Sequence, residues 1–210
     1  MQPDEGVIKF DLRHRSAPPL PAPTLRALNG WRSLLFRLGL IGRDPARYDG
    51  AGYGNVSRRL GAGRPPRFAI SGSQTGHLPT LAPAHYAVVT DCDAARNRVV
   101  AQGPVAPSSE SLTHDMLYRL DPRIGYVFHV HAPCIWARRA SLGMPSTDPA
   151  IPYGTVAMAE AVAALFDDPA VRRARVFAMG GHEDGLVAFG RTADQAGAPL
   201  VSLLARALAG

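Results

Sequence analysis

Lysine, cysteine and long apolar runs are scarce in this sequence. Lys9 is the only lysine among the 210 residues, and Cys92 and Cys134 are the only cysteines. An enzyme that forms Schiff bases with carbonyl substrates needs a lysine with a perturbed pKa, so this route is almost closed. The two cysteines match no metal-binding or redox spacing, and we expect both to be structural thiols.

The features of a membrane or secreted protein are also missing. No window approaches the roughly eighteen apolar residues of a transmembrane helix, and the N-terminus is charged where a signal peptide is apolar. These absences predict a cytoplasmic protein with no membrane partner.

The formal net charge of +6 does not come from a basic tract. Arginines occur at most in pairs, and no aromatic residues alternate with them along a basic stripe. A nucleic-acid-binding surface usually needs such clustering, whereas dispersed charge mainly affects solubility and the attraction of charged ligands. We therefore expect no nucleic-acid partner.

Composition predicts a single α/β domain built from many short elements. Hydrophobic residues make up 46% of the chain, and 21 glycines and 19 prolines are spread along it. Residues 1–23 end in the proline-rich SAPPLPAP and are predicted to be an N-terminal arm outside the core. Residues 24–210 are predicted to be one domain, since their length requires no second core.

Apolar periodicity predicts the elements of this domain. Thr24 is expected to cap the first helix, and Pro199 to break or restart the last one. Short runs between turns indicate a largely antiparallel sheet. The predicted strands are 55–60, 68–71, 86–90, 98–102, 125–132, 175–179 and 186–189, and the predicted helices are 24–38, 107–120, 155–166 and 193–208.

The segment YVFHVHA carries two histidines at strand spacing. The two-residue period of a strand places His129 and His131 on one face, where both imidazoles can bind one ion. His182, in the glycine-rich turn of AMGGHEDG, is the best candidate for a third ligand. An isolated HxH pair is also compatible with two hydrogen-bonded, partly buried histidines, so the other motifs must support the metal-site interpretation.

Glu110 is predicted to lie in the first turn of a helix, with His114 one turn later on the same face. An acid at a helix N-terminus also has a purely structural explanation in the helix dipole. Ser108 and Ser109 either cap this helix or donate hydrogen bonds to an anion at its N-terminus.

Several motifs taken in order resemble those of the class II aldolase/adducin superfamily. They are GYGNVS, then PSSESLTHDMLYRLDP leading into VFHVHAP, then PYGTVAMAEAV, then a late histidine flanked by glycines. The resemblance extends from about Trp31 to the C-terminus. It implies αβα layers with a central mixed sheet, a homotetramer with sites at subunit boundaries, and a small-molecule substrate.

The resemblance also implies roles for particular residues. His129, His131 and His182 would be ligands of Zn²⁺ or another divalent ion, and Glu110 would be the catalytic acid/base. A phosphate pocket would involve the backbone and side chains of Gly54, Asn55, Ser108 and Ser109, with a further hydroxyl from Ser71, Ser73 or Thr75.

The sequence departs from the superfamily pattern in three places. ISGSQTG does not match the usual threonine-containing phosphate motif, and GGHEDG places Glu183 and Asp184 beside the third histidine. These two acids could bind substrate, tune the ion or face solvent. No tyrosine is found where the sugar-phosphate aldolases carry a catalytic one.

These residues predict a metal-dependent lyase that performs retro-aldol cleavage of a small hydroxy-carbonyl or sugar-phosphate-like compound. The ion would polarise the carbonyl and stabilise an enediolate, while Glu110 moves the proton. Epimerase, dehydratase and decarboxylase reactions use the same machinery and stay open as alternatives. A non-catalytic module like the adducin head is disfavoured because all three histidines and Glu110 are present.

Overall fold

The protein is described by a computed structural model that covers residues 6–210. An eight-stranded sheet runs through it in the order β1-β7-β6-β5-β4-β8-β10-β9, and β2 and β3 form a separate two-stranded ribbon. The strands are β1 Asp11–Arg15, β2 Gly42–Arg43, β3 Gly52–Tyr53, β4 Asn55–Arg59, β5 Phe68–Ser71, β6 Tyr86–Asp93, β7 Arg98–Gln102, β8 Tyr126–His131, β9 Val176–Ala178 and β10 Gly185–Gly190.

Helices cover both faces of this sheet. They are α1 Ala22–Arg37, α2 Ser111–Leu120, α3 Pro133–Ala137, α4 Val156–Phe166, α5 Pro169–Ala174 and α6 Ala193–Leu208. Leu28 of α1 and Leu200 of α6 belong to one core cluster, and Leu117 of α2 and Val162 of α4 belong to the other. The predicted αβα layers around a largely antiparallel mixed sheet are therefore confirmed.

Alternation along β8 divides its side chains between the two cores. Phe128 and Val130 enter the cluster beneath α1 and α6, whereas Val127 enters the cluster beneath α2 and α4. A pleated strand requires this alternation, and it sends His129 and His131 to the side of α2. Because β8 lies between β4 and β10, His129 has strand backbone on either side. His131 pairs with β10 on one side, and on the other its N–H donates to the carbonyl oxygen of Leu40.

The N-terminal arm contributes more to the fold than the sequence suggested. Asp11–Arg15 pair with β7 as the one parallel strand of the sheet, and the Phe10 side chain is buried in the core. The expectation that the arm holds no core element is wrong for these residues. The strand is charged and largely exposed, as edge strands often are. The division into residues 1–23 and 24–210 stays a prediction.

Two helix predictions also need correction. Helix α1 begins at Ala22, with Pro21 at the cap position, so Thr24 does not cap it. Helix α6 continues through Pro199 without a break. Its apolar face packs on the sheet and on α1, and this tertiary packing outweighs the hydrogen bond that proline removes. In residues 6–210 no helix is long and apolar enough to cross a membrane.

Candidate metal centre and active site

Three histidines from two parts of the chain converge in the structure. His129 and His131 lie on β8, His182 lies in the turn before β10, and one ligand nitrogen of each lies within 4.8 Å of the others. All three side chains are buried, with exposures of 3% or less. The sequence analysis predicted that these three residues share one site, and in the structure they lie together.

Hydrogen bonding orients the His129 ring. Its Nδ1 lies 3.2 Å from the carbonyl oxygen of Leu186 on the neighbouring strand, and since a carbonyl only accepts, Nδ1 carries the proton. In the neutral ring, Nε2 then presents its lone pair, which is how metal-binding histidines are usually fixed. This Nε2 lies 3.1 Å from Nε2 of His131.

Glycines fix the turn that carries His182. A Cβ on Gly180 would lie 2.2 Å from the carbonyl oxygen of Thr147, and one on Gly181 would lie 1.9 Å from that of Ile151. No larger residue fits either position. The turn is closed by hydrogen bonds on both sides of His182, whose N–H donates to Met179 and whose carbonyl accepts from Gly185. His182 is therefore held against the end of β8.

The donor set fits a divalent ion such as zinc. Burial, together with His182, His129 and Arg47, lowers the pKa of His131 well below its usual range, so this imidazole stays neutral as a ligand must. Zinc binds nitrogen at about 2.0–2.1 Å, which in tetrahedral geometry spaces the donors roughly 3.3 Å apart. The 3.1 Å between the two Nε2 atoms is close to that spacing.

Glu110 lies beside this cluster. It occupies the cap position immediately before α2, not the first turn as predicted. Its Oε1 is 3.8 Å from Nδ1 of His182, while Oε2 accepts a hydrogen bond from the Thr113 hydroxyl at 2.9 Å. The carboxyl group is 2% exposed, so it can exchange a proton with a ligand in a site that excludes bulk water.

His114 belongs to the core and not to the histidine cluster. Its Nδ1 lies 2.7 Å from the Ser57 hydroxyl, which also lies 2.7 Å from the Tyr118 hydroxyl. Complete burial lowers the pKa of His114 to about 3. This residue is a neutral hydrogen-bonding group between α2 and β4.

Gly54 and Asn55 lie next to His129, Ser108 and Ser109 directly precede Glu110, and the hydroxyls expected to bind phosphate take part in internal hydrogen bonds. Asn55 is buried and pairs with His129 across β4 and β8. Gly54 has a φ of 77° and would clash with Ile41 if it carried a Cβ. The internal bonds are Val56 N–H to Ser71 Oγ, Ser73 Oγ to Gly6 O, Glu110 N–H to Ser108 Oγ and Thr75 Oγ1 to Gly72 O. Ser109 is buried directly before Glu110.

Two tyrosines that the sequence analysis did not single out contact the histidines. Tyr153 stacks on His182 with 4.0 Å between ring centroids, and Tyr48 meets the His131 ring edge-on at 4.7 Å. The ammonium group of Lys9 lies 3.9 Å from the centroid of the Tyr153 ring. Tyr153 lies within the PYGT motif, so its position could have been inferred, whereas nothing in the sequence marks Tyr48.

The two acids of GGHEDG have different surroundings. Glu183 is exposed, whereas Asp184 is buried and accepts a hydrogen bond from the Tyr48 hydroxyl at 2.5 Å. Asp184 also pairs with Arg47 at 3.3 Å. The sequence left open whether these acids bind substrate, tune the ion or face solvent. In the structure Glu183 faces solvent, whereas Asp184 fixes the segment that carries Tyr48.

Comparison with solved structures identifies proteins of the same fold. L-fuculose-1-phosphate aldolase from Thermus thermophilus superimposes with a TM-score of 0.63 at 21% identity, covering 90% of this chain and 93% of that one. A sugar-phosphate aldolase from Thermotoga maritima gives a TM-score of 0.66 at 15% identity, covering 89% and 93%. At these identities the likeness concerns the fold.

A relative and a family profile extend the likeness to sequence. The fluorothreonine transaldolase of Streptantibioticus cattleyicolor is 32% identical over 157 residues, which is 75% of this chain but 23% of that protein. The chain thus spans about a quarter of that relative. The profile described as Class II Aldolase and Adducin N-terminal domain matches residues 44–207, and this protein therefore belongs to the class II aldolase/adducin family.

Proposed function

We propose that this protein is a divalent-metal-dependent lyase, with zinc as the favoured ion, that cleaves a small hydroxy-carbonyl compound by a retro-aldol reaction. The convergence of three buried imidazoles beside a buried carboxyl group carries the proposal. Members of the family are generally lyases, and they typically depend on a metal ion. Retention of the full donor set supports an enzyme over an adducin-like binding module.

His129, His131 and His182 would hold the ion. When bound, it would supply Lewis-acid polarisation of a carbonyl group and stabilise the negative charge that develops as the bond breaks. With three protein ligands, the site would leave coordination positions for a substrate that offers adjacent hydroxyl and carbonyl oxygens.

Glu110 would move the proton in this mechanism. Thr113 holds one of its oxygens, which leaves the other directed at the histidine cluster. A carboxyl group fixed in this way can take a proton from a substrate hydroxyl and return it to carbon after cleavage. Its burial keeps water away from the reactive carbanion-like species.

Substrate binding is proposed to involve Gly54, Asn55, Ser71, Ser73, Ser108 and Ser109 around the ion. Epimerisation, dehydration and decarboxylation need the same polarised carbonyl and the same proton carrier, so these reactions are the alternatives within the proposal. We further propose a homotetramer acting on a small molecule in the cytoplasm, without nucleic-acid or membrane partners.

Metal analysis tests the proposed site. Purified protein should contain about one divalent ion per chain, and His182→Ala should lose it because two imidazoles bind more weakly than three. The matched control is His77→Ala, since His77 is exposed and bonds only within its own turn. A protein that stays metal-free after incubation with zinc, or a His182→Ala variant that keeps full stoichiometry, would contradict the proposal.

A further inference from the structure

A strained turn holds Arg47 and Tyr48 beside the histidine cluster. Tyr48 and Asp49 both have left-handed backbone, with φ values of 50° and 52°, and Asp184 has a φ of 63°. Left-handed conformations are unfavourable for residues other than glycine and persist only where surrounding contacts impose them. Here the hydrogen bond from the Tyr48 hydroxyl to Asp184 joins the strained turn to the turn of His182.

Contacts on several sides fix the Arg47 guanidinium. It lies 4.8 Å above the Tyr48 ring and 5.0 Å above the Tyr53 ring. Its Nη2 donates both to the Tyr48 hydroxyl and to Asp184. A guanidinium has five N–H donors in a planar fork, so its hydrogen bonds with Tyr48, Asp184 and Tyr53 still leave donor capacity for a ligand. The side chain is 25% exposed, which gives a ligand access.

The same two rings connect Arg47 to the proposed metal site. Tyr48 and Tyr53 contact the His131 ring, with centroid distances of 4.7 Å and 5.4 Å. The guanidinium is therefore one aromatic ring away from a proposed ligand.

The Arg47 guanidinium and the proposed divalent ion are both positively charged, and two such charges close together need a compensating negative charge. Three neutral imidazoles supply none, Glu110 is the carboxyl group beside them, and Asp184 pairs with Arg47. An anionic group on the substrate would be attracted by both cations at once. The serine hydroxyls expected to bind phosphate, by contrast, are hydrogen-bonded to backbone and bring no positive charge.

From this arrangement we infer that Arg47 is a specificity-determining residue, and that it selects substrates bearing a carboxylate directly next to the oxygens that chelate the ion. This inference rests on the proposed function. A carboxylate matches the guanidinium fork in a bidentate manner. The closeness of Arg47 to His131 favours a group attached directly to the chelating carbon over a more distant phosphate ester.

Binding of two matched probes to the zinc-loaded protein tests the inference without any turnover. Hydroxypyruvate and hydroxyacetone both offer a hydroxyl next to a carbonyl oxygen, but only hydroxypyruvate carries a carboxylate on that carbonyl carbon. Calorimetry should show that Arg47→Gln weakens hydroxypyruvate binding about 10- to 100-fold, as expected for a lost charge-assisted hydrogen bond. Hydroxyacetone binding should change less than about twofold, and Arg47→Lys should recover part of the hydroxypyruvate affinity.

The controls separate this inference from the proposed function. Arg37→Gln removes the same charge from an exposed position on α1 and should leave both affinities unchanged. Metal content is measured in every variant, because failure to hold an ion contradicts the proposed function itself. With the ion bound, equal losses for both probes, no loss for hydroxypyruvate, or a larger loss for inorganic phosphate than for hydroxypyruvate would each overturn the role of Arg47.

Discussion

A substitution of Glu110 can separate the role of the site in metal binding from its role in proton transfer. Replacing Glu110 by Gln keeps the size and the hydrogen bond from Thr113 but removes the proton carrier. We expect metal content to be unchanged and the cleavage rate to fall roughly 10²- to 10⁴-fold. Steady-state kinetics with metal analysis would check this. Glu160→Gln, on the exposed face of α4, is the control, and a Glu110→Gln enzyme of normal rate would remove Glu110 from the mechanism.

His114 makes the folded state sensitive to acid. Its pKa is lowered to about 3 by burial, whereas an unfolded chain has a histidine pKa of about 6.5. As pH falls below 6.5 the unfolded state binds the proton first, so stability is lost progressively down to about pH 3. This histidine alone should contribute a loss of about 2 kcal/mol between pH 7 and pH 5.

Denaturant unfolding at both pH values would measure this effect. His114→Gln keeps an acceptor for the Ser57 hydroxyl but cannot be protonated, so its stability should fall by about 2 kcal/mol less over the same interval. His77→Ala, at an exposed position, should behave like the unaltered protein. If His114→Gln lost as much stability as the unaltered protein, the acid sensitivity would have another origin.

Among single residues, the sequence predicted those whose positions depend only on nearby residues in the chain. The period of β8 alone places His129 and His131 on one face, and the glycines around His182 indicate a constrained turn. Arg47 and Tyr48 could not be predicted, because their contact with His131 depends on a left-handed turn and on pairing between distant segments. The sequence analysis considered Lys9 only with regard to Schiff-base chemistry, and its contact with Tyr153 was not foreseen.

Helices α1 and α6 pack closely at a glycine. A Cβ on Gly197 would lie 2.1 Å from the ring of Trp31. Although alanine favours helix, Gly197→Ala should destabilise the protein by about 1–3 kcal/mol because the ring and the helix backbone must move apart. Thermal or denaturant unfolding would measure the change.

A second glycine provides the matched control for this substitution. Gly30 is also helical, and a Cβ added to it would meet no atom within 4 Å. Gly30→Ala should therefore stabilise the protein by about 0.5–1 kcal/mol. If both substitutions were stabilising, the α1–α6 contact would be looser than the structure shows.

Strands and helices of the domain were largely predictable because apolar alternation and turn residues coincide. The short elements were not: β2, β3, α3 and α5 contain at most six residues each, too few to display a period. Strand β1 was missed because its sequence DLRHR is polar, and its pairing with β7 depends on residues more than eighty positions away.

The proposed metal site joins separate parts of the molecule. Its ligands come from β8 and from the turn before β10, and Glu110 joins them from the start of α2. An ion that binds only the folded state stabilises it by about 4 kcal/mol when free metal is ~1,000 times its Kd. Chelation should therefore lower the Tm measured by calorimetry.

His182→Ala again supplies the comparison. This variant should already melt at a lower temperature, and a chelator should not lower its Tm further. A chelator that shifts the Tm of both proteins equally would indicate metal binding elsewhere. The homotetramer stays a prediction, which sedimentation would test, because the fold of one chain does not determine how copies associate.

The lone lysine has a practical consequence for studying this protein. Any amine-directed reagent has one side chain to modify, and that side chain lies against Tyr153, which stacks on His182. A fluorophore or a fluorinated acyl group attached to this side chain would act as a reporter beside Tyr153, without mutagenesis. Its signal would register changes at the neighbouring histidine cluster as ions and ligands are added.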